Sequence, residues 1–116
     1  MRVLCLDGPY LNKALARLGH ETFSVGQSPG LDVRPDRVLS LAGLLHILDS
    51  RGFRPDAAFW ADTSQPPCVA GLELLPWPTV AYSIDQYMNP WHLAYSAGFD
   101  LALVAQRDYL DRKSVV

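Results

Sequence analysis

The chain has 116 residues, of which 49% are hydrophobic and 19% charged, the usage of a single globular domain large enough to bury a core without disulfide or metal staples. Ten Lys and Arg against twelve Asp and Glu give a formal charge of -2, and the cations are scattered rather than striped, which argues against nucleic acid as a partner. The N-terminal apolar stretch is too short for a signal peptide and no apolar run is long enough to span a bilayer. Cys5 and Cys68 form no CxxC motif. The expectation is a cytoplasmic protein with two reduced, structural cysteines.

Arg2 to Asp7 reads as a first strand, broken by Gly8-Pro9. Leu11, Ala14, Leu15 and Leu18 then mark one face of a helix that Gly19 ends. His20 to Val25 alternates polar and apolar residues, as a strand near a sheet edge does, and GQSPGLDVRPD after it is a long loop. From Val38 the pattern predicts an amphipathic helix, with Val38, Leu41, Leu45 and Leu48 on one stripe and an end at Ser50-Arg51-Gly52. Ala57 to Ala61 is a continuous apolar run between Pro55-Asp56 and Asp62-Thr63-Ser64, which predicts a strand covered on both faces.

Pro66-Pro67 can open a short helix carried by Val69, Leu72, Glu73 and Leu75 to Pro76. Thr79 to Ile84 is the next strand. Asn89-Pro90 supplies a capping residue and a first-turn proline for a helix through Trp91 and Tyr95, closed by Gly98. Phe99 to Ala105 is the last strand, Gln106 to Arg112 reads as the start of a further helix, and residues 113–116 have no pattern. Residues 1–112 therefore form one domain.

RLGHETFSV, SRGFRPDAAFW and SAGFDLALV repeat one scheme of helix, terminating glycine, one or two polar residues and strand. Five strands alternating with helices imply right-handed crossovers and a parallel sheet. The predicted fold is an α/β three-layer, Rossmann-like (flavodoxin-like) sandwich with a five-stranded sheet of order 2-1-3-4-5. Strands one and three then meet at the switch point. The crevice lies between the loops at Asp7-Gly8-Pro9-Tyr10 and at Asp62-Thr63, with Asp85-Gln86-Tyr87 as a third wall. Three carboxylates there can bind a cation, act as general acid or base, or hold sugar hydroxyls. The competing reading is that acids at strand ends stop strands and cap helices. His92 follows the Asp85 loop toward the crevice, whereas His20 and His46 read as surface or packing residues. Tyr87 and Trp91 offer a stacking platform for a sugar ring. The sequence contains no GxGxxG, GxxxxGK[ST] or HExxH motif.

ALARLGHET after the first strand, the strand-plus-acid PTVAYSID and FDLALVAQRDYLD together resemble the N-terminal half of a GT-B glycosyltransferase, in particular bacterial proteins of the spore-maturation CgeB-like type and their family 1 and 4 relatives. The resemblance implies two Rossmann-like domains facing each other across a cleft, the first taking the sugar acceptor and the second the nucleotide-sugar donor, with neither metal nor another cofactor required. It carries acceptor-side or cleft-lining roles onto Asp7, Gly8, Asp62 and Asp85. Asp85 becomes the catalytic candidate, as sugar-hydroxyl acceptor or general base. With the crevice placement, the expected substrate-binding set is Asp7, Gly8, Tyr10, Asp62, Thr63, Tyr87 and His92. The donor-binding domain lies outside these residues, so the chain alone is expected to be inactive.

Two other readings fit the same order of strands. A receiver-like signalling domain would use Asp62 as phosphoacceptor with Ser83 nearby, but it wants an acidic pair where Asp7-Gly8 stands and a lysine where Gln106-Arg107 stands. A non-catalytic interaction module has no positive signature.

Overall fold

In the computed structural model, residues 1–63, 65–84 and 91–104 are described. The elements run β1 (Arg2–Asp7), α1 (Asn12–Arg17), β2 (Glu21–Val25), α2 (Leu41–Ser50), β3 (Ala57–Ala61), a 3-10 turn (Leu72–Leu74), β4 (Thr79–Ser83), α3 (Trp91–Ser96) and β5 (Leu101–Val104). All four strand pairings are parallel and the order is β2-β1-β3-β4-β5, the flavodoxin-like arrangement that the helix–glycine–strand repeat predicts. Acids just ahead of strands close the amino edge. Asp56 accepts from the Arg2 backbone N–H at 2.7 Å, and Asp100 accepts from the Thr79 N–H at 2.8 Å.

Register fixes which side chains share a face. Leu6, Trp60, Ala81 and Ala102 form one row across the sheet; Cys5, Phe59, Val80 and Leu101 form the adjacent row on the other face. The first face carries the core. Leu4, Leu6, Phe23, Val25, Ala58, Trp60 and Ala81 pack there against Leu44 and Leu48 of α2, Cys68, Val69 and Leu72, and Phe99. Trp60 is 1% exposed, ringed by Trp91, Tyr95, Phe99 and His92 at centroid distances of 4.9 to 6.2 Å.

The second face departs from expectation. Ala57 and Phe59 are only half-buried, so the run that reads as covered on both faces is sealed on one. The step from β1 to β2 runs opposite to the later steps, and a right-handed crossover therefore puts α1 on this second face. Yet α1 contains no buried residue, and Leu18, expected on its packed stripe, is 74% exposed.

Two helix boundaries also differ. Ser40 caps α2 by accepting from the Gly43 N–H at 3.1 Å, which leaves Val38 and Leu39 outside the helix. Leu39 instead pairs in parallel with Val69, its N–H bonded to the Cys68 carbonyl at 2.7 Å and its carbonyl accepting from Ala70 at 3.0 Å. That pairing holds residues 68–70 extended, so the helix expected from Pro66 to Leu75 shrinks to one 3-10 turn after a left-handed Gly71. No helix of the described residues is long and apolar enough to cross a membrane.

Candidate functional site

At the carboxyl edge β1 ends on Asp7, with φ at 61°, which makes it the one non-glycine residue of positive φ among the described residues. Alternation along β1 would send its side chain to the face of Val3 and Cys5. The left-handed backbone turns the carboxylate onto the core face instead, where Oδ2 accepts from the Trp60 indole N–H at 2.7 Å and from the Cys68 backbone N–H at 3.3 Å. Asp7 is 5% exposed. Burial raises its carboxyl above the ordinary carboxylate range and the charge of Asp62 adds to the rise, while the bonds from Cys68 and Trp60 pull the other way. A strained backbone and a desolvated acid thus coincide at one residue beside the switch point, a combination that clusters at functional sites.

The glycines beside Asp7 are there for close approach. A Cβ on Gly8 would lie 2.8 Å from the Ala61 carbonyl oxygen, and a Cβ on Gly26 would lie 2.8 Å from the Asp7 Cα. The Gly8 N–H donates to that Ala61 carbonyl at 2.7 Å. It is therefore spent on joining the ends of β1 and β3 and does not form part of a phosphate cradle.

One strand over, Asp62 follows β3 and is 2% exposed. Its Oδ2 accepts from the Ile84 backbone N–H at 3.0 Å and its Oδ1 lies 3.2 Å from His92 Nε2. The other ring nitrogen of His92, Nδ1, stands 3.0 Å from Ser83 Oγ. Asp62, His92 and Ser83 form a chain of polar contacts that ties the exit of β3 to the exit of β4 and the start of α3. The residue types are those of a hydrolase triad, but Ser83 and His92 are both 0% exposed, so Ser83 has no substrate to attack. The chain of contacts is scaffolding.

The expected crevice residues thus separate into two layers. Asp7, Gly8, Asp62 and His92 are buried and make a floor; Tyr10 is 58% exposed and Thr63 half-buried, above it. Asp85 and Tyr87 lie outside the described residues. Beside this floor, Pro9, Asn12, Lys13, Ser24, Gly30 and Asp32 line a hollow of about 440 Å³. A larger cavity of about 760 Å³ lies at the opposite, amino edge, between α2 and Phe53, Pro55 and Trp77. It contains none of the acids discussed above.

Sequence reasoning missed Trp60 and Cys68 as partners of Asp7, and Ser83 as partner of His92. Only Ser83 left a trace, as a polar residue ending an apolar strand. Among the described residues no group of three His, Cys, Asp or Glu side chains is arranged to hold a metal ion. Comparison of the chain with models of protein families, with curated proteins and with solved structures gave no match. What the fold defines is a parallel five-stranded α/β domain with Asp7 and Asp62 buried at the switch-point edge.

Proposed function

We propose that this chain is the acceptor-side domain of a GT-B glycosyltransferase that uses a nucleotide-sugar donor, the donor being held by a second domain. The observation that carries the reading is the acidic floor: Asp7 and Asp62 sit at the ends of adjacent central strands, both buried, and the Gly8 amide beside them is already hydrogen-bonded. That field repels a diphosphate, and the Gly8 amide is not free to cradle one. It suits a neutral, hydroxyl-bearing acceptor. The sequence pieces LARLGHE and PTVAYSID supply the family. In this reading Asp85 is the general base or sugar-hydroxyl acceptor, with Tyr10, Thr63 and Tyr87 lining the acceptor site.

Transfer needs the acceptor oxygen within near-attack distance of the anomeric carbon, with both substrates fixed in one frame. Half a cleft fixes only one of them. Calorimetric titration of the isolated chain with a panel of nucleotide sugars is therefore expected to show no tight binding, and incubation with donor and acceptor no turnover. A dissociation constant in the low micromolar range would put the donor site in this chain and overturn the assignment of halves. Joined to its donor domain, an Asp85→Asn variant should lose most turnover and keep its fold.

The receiver-like reading draws on the same strand order, with Asp62 as phosphoacceptor. Against it, the Asp62 carboxylate is buried with one oxygen on the Ile84 N–H and the other on His92, which leaves no line of attack on phosphorus. Treatment with a small phosphodonor should leave the mass of the chain unchanged; a stable gain of one phosphoryl group at Asp62 would favour the receiver.

A further inference from the structure

The cavity of about 760 Å³ at the amino edge takes no part in the acidic floor. Its origin lies in the crossover from β3 to β4, which supplies only the 3-10 turn Leu72–Leu74 where a full helix would pack beside α2. The end of α2 builds one wall. Gly52 sits at φ 64°, with its N–H bonded to the Asp49 carbonyl at 3.1 Å and the Phe53 N–H bonded to the Leu48 carbonyl at 3.0 Å. This left-handed closure turns the chain back, so Phe53, Arg54 and Pro55 line the same cavity as Leu45, Leu48 and Asp49. Trp77, just ahead of β4, lines it too.

The lining is mostly apolar, and its polar groups are left over from the fold. Arg54 and Asp49 are exposed, and neither forms an ion pair among the described residues. The Trp77 indole N–H is buried and has no acceptor, whereas buried donors in folded proteins nearly always have one. Asp49 stands in the last turn of α2, where a negative charge opposes the helix dipole and no basic residue offsets it. A cation arriving there is attracted by the carboxylate and by the helix end together. His46, one turn before Asp49, is the other polar side chain of the lining.

We propose that this cavity binds a free aromatic α-amino acid, independently of the acceptor site at the opposite edge. Asp49 and the carbonyl end of α2 take the ammonium group, Arg54 and the Trp77 indole N–H take the carboxylate, and the ring lies among Leu45, Leu48, Phe53 and Pro55. A pocket of this size, apolar with a few polar groups, has the make-up of a small-molecule site. The charges select the class. A fatty acid or a phosphate ester would bring a like charge to Asp49, and a simple amine would leave Arg54 and Trp77 without an acceptor. Only a zwitterion answers both sets of groups, and Phe53 and Trp77 favour an aromatic ring between them and the leucines.

The test is an NMR titration of the 116-residue chain with L-phenylalanine, phenethylamine and 3-phenylpropionate. The three tryptophan indole N–H resonances are the reporters, and a Trp77→Phe variant identifies one of them. L-phenylalanine is expected to bind saturably with a dissociation constant of about 1 mM or tighter and to move the Trp77 resonance. The Trp60 resonance, already bonded to Asp7, should stay. Phenethylamine and 3-phenylpropionate should each bind about fivefold or more weakly than L-phenylalanine. Asp49→Ala should weaken L-phenylalanine by a similar factor without weakening 3-phenylpropionate, and Arg54→Ala should do so without weakening phenethylamine. Both positions are exposed, so the variants should fold, and circular dichroism checks that they do. Absence of saturation, an unmoved Trp77 resonance, or equal binding of all three compounds would overturn the proposal.

Discussion

Replacing Trp60 by Phe tests the pairing at the base of the site. The indole N–H donates to Asp7 Oδ2 at 2.7 Å, while the Cys68 N–H is longer at 3.3 Å and the Cys68 thiol adds a further bond to the carboxyl. A phenyl ring keeps most of the contacts with Trp91, Tyr95 and Phe99 but removes the shorter bond. A hydrogen bond to a charged acceptor contributes about 1.5–3 kcal/mol, and the smaller ring leaves a partial cavity, so the expected cost at neutral pH is about 2–4 kcal/mol. Its pH dependence has a definite sign. Burial raises the Asp7 carboxyl, so its contribution to stability is fully present below the ordinary carboxylate range and is lost as pH rises through the folded value. The Trp60 bond favours the ionised form; without it the carboxyl rises further. Trp60→Phe should therefore cost more at about pH 8 than at about pH 4. Urea denaturation followed by circular dichroism at both pH values, with and without Asp7→Asn, measures this. Equal costs at the two pH values, or strict additivity with Asp7→Asn, would refute the claim that the indole serves a buried carboxylate.

Asp7→Asn alone should flatten the loss of stability on the alkaline side, because a neutral amide tolerates both burial and the left-handed backbone. Gly8→Ala should destabilise by about 1–3 kcal/mol, since its Cβ would meet backbone oxygen on Ala61, and thermal unfolding checks it. His92→Ala should cost about 3–5 kcal/mol by removing one partner of the buried Asp62 carboxyl and leaving a cavity, again by denaturant titration. Burial pushes the Cys5 thiol up to about 11 and the Cys68 thiol still higher, so neither should react with a thiol reagent at neutral pH until the chain is unfolded.

The sequence by itself determined the positions of the five strands and their order. An apolar run of strand length is local information, and so is a helix closed by Gly19, Gly52 or Gly98. Right-handed crossovers then leave few orders to choose from. It also determined that Asp7 and Asp62 stand at the same edge, because parallel strands end together. The tertiary structure alone decided what those acids do. Asp7 finds its donors 53 and 61 residues away, and no local pattern announces that its backbone turns left-handed to reach them. His92 reads from sequence as a crevice residue, yet it is fully buried between Asp62 and Ser83, since whether a polar residue in a first helical turn faces solvent depends on how far the helix has rotated against the sheet. Leu39, too, looks like a helix residue until Val69 is brought beside it. The half-buried second face of β3 was invisible for the same reason: an apolar run records that a strand is suited to burial on both sides, and only the packing of other elements decides how far each side is buried.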